Sequence, residues 1–437
     1  MWLRAKDDLY ILSFDYMSLI SILFFLAALI ILLTCLRRGA DIFSPARVFG
    51  FIWAIAIGLA DLKLSRLQHE WDLYGWITLL LGVCSFLVGV LVVNVLFIDK
   101  KMISLDAIRS RFTVSQISES KLLYSIIVLF CAYVVTYVIE WSAYGRLPLF
   151  AANPDRARME IGIFGIHLFI ASMPILLFLI VEYLFLVRKN LWRKGLLTIL
   201  FTVTFISYFF LLNRLHYVMF VIITLAFAFY TTRIVTVRNV MILVASLIAC
   251  LSMLQYFREA RYAEHFLYVI SDMKYSRTYA AFTGPYMYIV MNLENFARAV
   301  GRVEQFSYGY FTFDFLTALT GLKHPMAEYF GLDIRVALPS GYNTYPFMWN
   351  YYYDFGLAGV VLFSLMLGSG ISLLHRWMRQ QPNNVNIAMY SAAVFVMVLS
   401  FFTNILSLLN FMFDIGLLLV IQAVILRFKI DYRWRLP

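Results

Sequence analysis

Residues 73–98 read LYGWITLLLGVCSFLVGVLVVNVLFI, a run that holds no Asp, Glu, Lys or Arg. A helix rises about 1.5 Å per residue, so this run is longer than the roughly 30 Å hydrocarbon core of a bilayer. Lipid offers the backbone no hydrogen-bond partners, and a helix satisfies its own. The stretch therefore predicts a helix that crosses a membrane.

The rest of the chain has the same character. Of its 437 residues, 62% are hydrophobic and 14% are charged, whereas a soluble domain carries about 25% charged residues. The net charge of +11 indicates basic anchoring loops at a membrane, and nucleic acid is not expected as a partner. The four cysteines lie in or beside apolar runs, so no disulfide framework is expected.

Apolar runs predict about eleven transmembrane helices. They cover 16–36, 46–62, 73–98, 122–142, 164–187, 195–213, 215–232, 239–256, 356–375, 386–406 and 408–426. The first run is too long for a signal-peptide core and lacks a cleavage motif, so it should be retained. Short basic loops alternate along the chain and should face the cytoplasm, which puts the N-terminus outside and the C-terminus inside. We expect an all-α polytopic membrane protein.

That orientation leaves one long outer segment, 257–355, between spans 1–8 (1–256) and the last three spans with a basic tail (356–437). Its composition predicts interfacial or re-entrant helices. One should start at Pro285, and a second should run over 312–319 and stop at Gly321. The first helix places these apolar residues on one face: Tyr286, Val290, Leu293, Ala297 and Val300.

The predicted outer side holds more arginine than is usual there. The connection after the fourth span carries Arg146 in GRLPLF, residues 145–150, followed by Arg156 and Arg158. A guanidinium donates two hydrogen bonds at once to a phosphate, so together these residues indicate an anionic ligand. The alternative for any single one is a solvated loop charge.

Arg214 lies at a reversal between two apolar runs, and His216 follows it. An arginine at the membrane boundary is costly and commonly functional, although a snorkelling arginine that marks the turn is the alternative. Arg258 and Arg261 follow the eighth span and share one helix face, either as ligand-binding residues or as interface anchors.

The end of the long segment is rich in Tyr and Trp and includes Asn343, Tyr345 and Asp354. Aromatic rings beside amides and carboxylates suit a sugar, and an aromatic belt is the alternative. Asp354 would enter the membrane, where a carboxylate is costly without an arginine partner.

Several outer residues are candidate general bases, and their spacing does not choose among them. They are His265, Asp314, His324, Glu328, Asp333 and Asp354. Histidine changes its charge closest to neutral pH, which favours His324, although a solvated loop histidine is the alternative. Metal-binding and nucleotide-binding motifs are missing from the sequence, so no metal or cofactor is expected.

These features resemble the O-antigen and oligosaccharide repeat-unit polymerases of bacterial envelopes, the Wzy type. The resemblance rests on 145–150 with Asp155 and Arg156 or Arg158 after it, on Asn213-Arg214, and on Asn343-Thr344 followed by DFGLAG at 354–359. The plan of many spans and one dominant outer loop is similar over nearly the whole chain.

The resemblance implies a metal-independent inverting glycosyltransferase of the membrane-embedded, GT-C-like type in the bacterial inner membrane. Its partners would be undecaprenyl-diphosphate-linked oligosaccharides and membrane lipid, with a chain-length regulator protein as a further candidate. Arg214 and Arg258 would bind the diphosphate, with a base from His324 or Asp354. Candidate substrate-binding residues are Arg146, Arg156, Arg158, Arg261, His216, Asn343 and Tyr345.

Three other functions stay open. A ligase that moves finished glycan to lipid A core would share these features. A flippase predicts charges in mid-span and pseudo-symmetric halves, whereas no internal repeat is visible. A non-enzymatic envelope assembly protein would use its outer loop as an interaction surface.

Overall fold

Helices supply all the regular secondary structure in the described part of the chain, where the β-type contact is an isolated bridge between Ser65 and Met273. The computed structural model describes residues 18–37, 39–99, 102–111, 118–186, 191–232, 235, 246, 263–303, 305–329 and 342–425. The predicted all-α class is confirmed.

In chain order the helices are α1 (Leu19–Cys35), α2 (Pro45–Asp61), α3 (Leu73–Leu96), α4 (Leu105–Arg111), α5 (Glu119–Tyr144), α6 (Pro154–Glu160), α7 (His167–Ala171), α8 (Met173–Leu186), α9 (Leu191–Phe209), α10 (Leu215–Thr231), α11 (Ala263–Ile270), α12 (Thr283–Ala299), α13 (Asp314–Leu319), α14 (Lys323–Tyr329), α15 (Met348–Gln380), α16 (Asn384–Val398) and α17 (Leu409–Ile425).

Within the described residues, three stretches are long and apolar enough to cross a membrane: α3, α15, and α5 with the turn that follows it to Phe150. The shorter apolar helices are α1, α8, α10, α16 and α17. Every predicted span other than 239–256 overlaps with helix, and within 239–256 the structure describes Ser246 alone. The number of crossings and their orientation stay predictions.

The helices cluster into two units that interleave along the chain. The first is built from the described parts of Met1–Phe97, Ala260–Ser372 and Val396–Leu408. The second is built from those of Ile98–Glu259, Leu373–Phe395 and Leu409–Pro437. Each unit therefore draws on helices that are distant in sequence.

In the first unit, α3 and α15 approach so closely that their glycines touch the opposite backbone. A Cβ added to Gly89 would overlap the carbonyl oxygen of Leu365, and one added to Gly368 would overlap that of Phe86. Small residues let helices in an apolar environment gain contact along their backbones. The two glycines therefore position α15 on α3.

The helix predicted from Pro285 is α12, which begins two residues earlier, at Thr283. All five residues of its predicted apolar face are buried, as expected: Tyr286, Val290, Leu293, Ala297 and Val300. Its polar residues Asn292, Glu294 and Asn295 are buried as well. The helix is therefore enclosed by the first unit, packing on α2 and α3, and its polar side is not open to solvent.

The span predicted to begin at Gly356 is part of a longer helix, because α15 begins at Met348. Gly356 interrupts it with φ +63° and ψ −153°, a conformation that L-residues rarely adopt. The aromatic run 351–353 therefore lies on the helix, in the segment before this break.

The second unit is centred on α8, whose residues from Ile175 to Ile180 are buried among α5, α9, α10 and α17. Near the C-terminal end of α8, Glu182 accepts a 2.8 Å hydrogen bond from Gln422 and another from Asn384. All three side chains are fully buried. This cluster ties α8, α16 and α17 together.

Candidate functional site

Two segments singled out in the sequence meet in the second unit. Loop 145–150 lies against the turn between α9 and α10, because the Leu149 N–H donates to the Phe210 carbonyl at 3.0 Å. The rings of Phe150 and Phe210 are 5.3 Å apart. Arg214 follows in the same turn. The GRLPLF segment, which follows the C-terminal end of α5, therefore contacts the turn that joins α9 to α10.

The local sequence explains the course of this loop. Helix α5 ends where Gly145 takes a left-handed conformation with φ +70°, as glycine permits. Pro148 then starts a 3₁₀ turn, Pro148–Phe150. Asn153 accepts a 3.1 Å hydrogen bond from the backbone of Arg156 and caps α6.

The arginines of this region remain accessible. Arg146 is exposed. Arg156 is exposed and pairs with Glu160 at 2.7 Å, and Arg158 pairs with Asp155 at 3.4 Å. Exposed ion pairs contribute little free energy, about 0–1 kcal/mol, so an anionic ligand can compete for these guanidinium groups.

Arg214 and His216 sit deeper. Leu212, with φ +56°, turns the chain before α10. Arg214 is half-buried, with its Nε and Nη2 shielded from solvent. His216 is 7% exposed, and its ring lies 5.4 Å from that of Tyr208. A guanidinium and an imidazole therefore occupy the N-terminal end of α10.

Asp414 of α17 adds a buried carboxylate to this region. It is 1% exposed, and neither carboxylate oxygen has a hydrogen-bond partner among the described residues. It is close enough to Tyr208 to interact electrostatically. The Tyr208 hydroxyl and the His216 Nδ1 also lack partners within the described ranges. Unpartnered buried polar groups cost free energy and are commonly a sign of a functional site.

The second unit also contains a buried carboxylate–imidazole pair. Glu140, four residues before the end of α5, is 1% exposed. Its Oε2 and Oε1 lie 3.0 and 3.2 Å from Nδ1 of His167, the first residue of α7. His167 is also close enough to His216 to interact electrostatically. The pair therefore belongs to the same polar cluster.

We define the α10 cluster as Arg214, His216, Tyr208, Asp414, Glu140 and His167. It combines a guanidinium, two imidazoles and two carboxylates, so it can stabilise an anion and accept a proton. Arg146, Arg156 and Arg158, of loop 145–150 and α6, belong to the same unit.

Sequence reasoning missed Glu140, His167 and Asp414. Each carboxylate lies inside a predicted span, Glu140 in 122–142 and Asp414 in 408–426. An acidic residue within a transmembrane segment is itself a signal of function, and it would have found Glu140 and Asp414. The partnership with His167 needs the packing of α5 on α7.

In the first unit, Asp354 is fully buried, and no arginine among the described residues pairs with it. It accepts hydrogen bonds from the backbone N–H of Phe311 at 3.2 Å, from that of Thr312 at 2.6 Å, and from the Ser307 hydroxyl. These donors offset the cost of burying the carboxylate. The contacts favour a role in anchoring 307–312, and a catalytic role for Asp354 stays a prediction.

Asn343 and Tyr345 belong to a segment docked on α12. Asn295 donates to the carbonyl oxygens of Tyr342 and Thr344 at 3.2 and 2.9 Å. Asn343 is exposed, whereas the Tyr345 ring stacks on Trp349 with centroids 4.3 Å apart. Burial raises the pKa of Tyr345, so its hydroxyl stays neutral. Stacked rings beside an exposed amide are compatible with the predicted sugar contact.

His324 lies on the exposed helix α14, also in the first unit. Arg258 and Arg261 lie outside the described residues, as do the side chain of His265 and all of Asp333. The role of each stays a prediction.

Within the described ranges, no group of three or more His, Cys, Asp or Glu side chains is placed to hold a metal ion. No protein-family model matches the chain, and neither a curated protein nor a solved structure is significantly similar to it.

Proposed function

We propose that this chain is a membrane-embedded glycosyltransferase that joins undecaprenyl-diphosphate-linked oligosaccharide repeat units into O-antigen or a similar surface polysaccharide. The reaction would be a metal-independent, inverting transfer at the outer face of the bacterial inner membrane. A hydroxyl of one lipid-linked unit attacks the anomeric carbon of the other glycan, and lipid diphosphate leaves.

The observation that supports this proposal is the contact between loop 145–150 and the turn of Arg214. The same unit also contains buried acidic and imidazole groups. The predicted orientation puts the C-terminal ends of α5 and α9 and the N-terminal end of α10 at the outer face. A lipid diphosphate would have its headgroup at that depth.

The groups of the α10 cluster can stabilise a diphosphate as it leaves. Negative charge grows on the diphosphate as the glycosidic bond breaks, and a preorganised cation stabilises that charge. Arg214 is held at the start of α10 with part of its guanidinium shielded from water, which strengthens its interaction with an anion. Arg146, Arg156 and Arg158 would bind phosphate or glycan at the rim.

The test uses purified full-length protein in lipid nanodiscs with synthetic undecaprenyl-diphosphate repeat units. We expect a ladder of products from the wild type and a loss of roughly 10²-fold or more in rate for Arg214→Ala, because one transition-state contact is removed. Arg214→Lys should recover only part of the rate, since lysine cannot bind two phosphate oxygens side by side.

Arg66→Ala is the matched control. Arg66 is also an arginine of a predicted outer loop, and it pairs with Asp272 at 3.0 Å while 68% of its side chain is exposed. Its removal should leave the ladder unchanged. A single transfer to lipid A core would identify a ligase, and movement of lipid-linked glycan without new linkages would identify a flippase. Unaltered polymerisation by Arg214→Ala would refute the assigned role of Arg214.

A further inference from the structure

We infer that His167, oriented by Glu140, is the general base that takes the proton from the attacking hydroxyl. The assignment rests on the proposed glycosyl transfer and gives it a proton acceptor. It differs from the bases that the sequence favoured, His324 and Asp354.

We assign the proton of the neutral His167 imidazole to Nδ1, from its contact with Glu140. Nδ1 faces both oxygens of Glu140, at 3.0 and 3.2 Å. An ionised carboxylate only accepts hydrogen bonds, so Nδ1 must be the N–H donor. In the neutral imidazole Nε2 is then the proton acceptor. None of the residues that the structure describes donates a hydrogen bond to Nε2.

The backbone holds the imidazole ring in place. Gly162, with φ +136°, lies beside the ring, and a Cβ added there would be in ordinary van der Waals contact with the His167 Cγ, at 3.5 Å. The N–H of Ile163 donates to Oε1 of Glu140 at 2.9 Å. The N–H of His167 donates to the carbonyl of Ile163 at 2.9 Å. The segment 162–167 therefore binds the carboxylate and the imidazole together.

Glu140 is more deeply buried than His167, as we expect if Glu140 orients the imidazole and His167 contacts the substrate. The side chain of Glu140 is 1% exposed, whereas that of His167 is 24% exposed. Water is kept from the carboxylate, which strengthens its hydrogen bond, while the imidazole remains within reach of a substrate. Glu140 is thus a positioning residue, and His167 is the catalytic residue.

The step transfers one proton to His167 and one electron pair to the departing lipid diphosphate. Nε2 of His167 accepts the hydroxyl proton of the acceptor sugar, and the freed oxygen pair forms the bond to the anomeric carbon. The bond from that carbon to the diphosphate oxygen breaks, and its electron pair leaves with the lipid diphosphate. The imidazolium then releases its proton to water.

Asp354 is less suited to this task. Three donors already engage its carboxylate, namely the Ser307 hydroxyl and the N–H groups of Phe311 and Thr312. A proton on Asp354 would weaken these bonds, because a neutral acid is a poorer acceptor than a carboxylate. Among the described residues, none donates a hydrogen bond to Nε2 of His167.

The kinetic test uses the nanodisc assay with His167→Ala, His167→Gln and Glu140→Gln. Loss of a general base should slow polymerisation by roughly 10²- to 10⁴-fold. Glu140→Gln should also lose roughly 10²-fold or more, because an amide can donate to Nδ1 and favour the opposite tautomer. His69→Ala is the matched control: Nδ1 of His69 lies 3.9 Å from buried Glu294, but 67% of its side chain is exposed. It should polymerise like the wild type.

The second measurement is independent of activity. In ¹⁵N NMR spectra of histidine-labelled wild type, the His167 signals, assigned by their loss in His167→Gln, should show Nδ1 protonated and Nε2 unprotonated in the neutral imidazole. Glu140→Gln should shift that balance. A wild-type ladder that persists in His167→Ala within about threefold, or a proton on Nε2, would overturn the assignment. A wild type that makes no ladder would instead refute the glycosyl transfer itself, and the assigned base with it.

Discussion

At the scale of single residues, a buried carboxylate in the first unit is stabilised by four hydrogen-bond donors. The carboxylate of Glu294 receives the Lys63 ammonium at 3.1 Å, the Trp71 indole N–H at 2.7 Å, the His69 backbone N–H at 2.9 Å and the Arg298 Nε at 2.8 Å. Burial alone would raise the pKa of Glu294, but these donors together lower it. The carboxylate thereby fixes loop 62–72 on α12.

We expect Glu294→Ala to lower the free energy of unfolding by roughly 3–5 kcal/mol, because buried cationic groups lose their partner. Thermal unfolding in detergent measures this, with Arg66→Ala as the exposed-pair control, expected to lose less than about 1 kcal/mol. The lowered folded pKa means that this stabilisation is present above the ordinary carboxyl pKa of about 4.3 and is lost as the pH falls through the folded value. Equal acid sensitivity of the wild type and Glu294→Ala would contradict the assignment.

At the scale of elements, apolar length and periodicity predicted the helices well. The buried face of α12 is determined by residues three and four apart, so the face could be read from the sequence. The start of α15 could not, because Gly356 looks like a helix boundary in sequence but is an interruption within one helix. The pairing of Glu140 with His167 could not be predicted either, since it depends on which helices pack together.

The contact of α3 with α15 gives an element-scale prediction. Gly368→Ala should lower the thermal stability by about 1–3 kcal/mol, because its Cβ would overlap the backbone of α3 at Phe86. Gly370→Ala is the matched control two residues away, since nothing lies within 4 Å of a Cβ there. Thermal unfolding of both variants in detergent separates steric overlap from helix propensity. Equal melting of the two variants would argue against close packing at Gly368.

At the scale of the whole molecule, the orientation of the helices is the prediction on which the proposed reaction depends. In a cysteine-free background, Arg66→Cys should react with a membrane-impermeant maleimide added to intact spheroplasts, and Gln381→Cys should react only after the membrane is opened. Both positions are exposed. The reverse labelling pattern would put the α10 cluster on the cytoplasmic side and would contradict the proposed transfer at the outer face.

The contacts of Glu294 also determine when the first unit can assemble during synthesis. Lys63 and Glu294 are separated by 231 residues, so the ribosome releases the α2–α3 hairpin long before its acidic partner exists. Contacts of such sequence separation form late, and chains grow at only about 5–20 residues per second. Lys63 and Trp71 are therefore in place many seconds before the Glu294 carboxylate is made. Assembly of the first unit can be completed only after translation has passed α12.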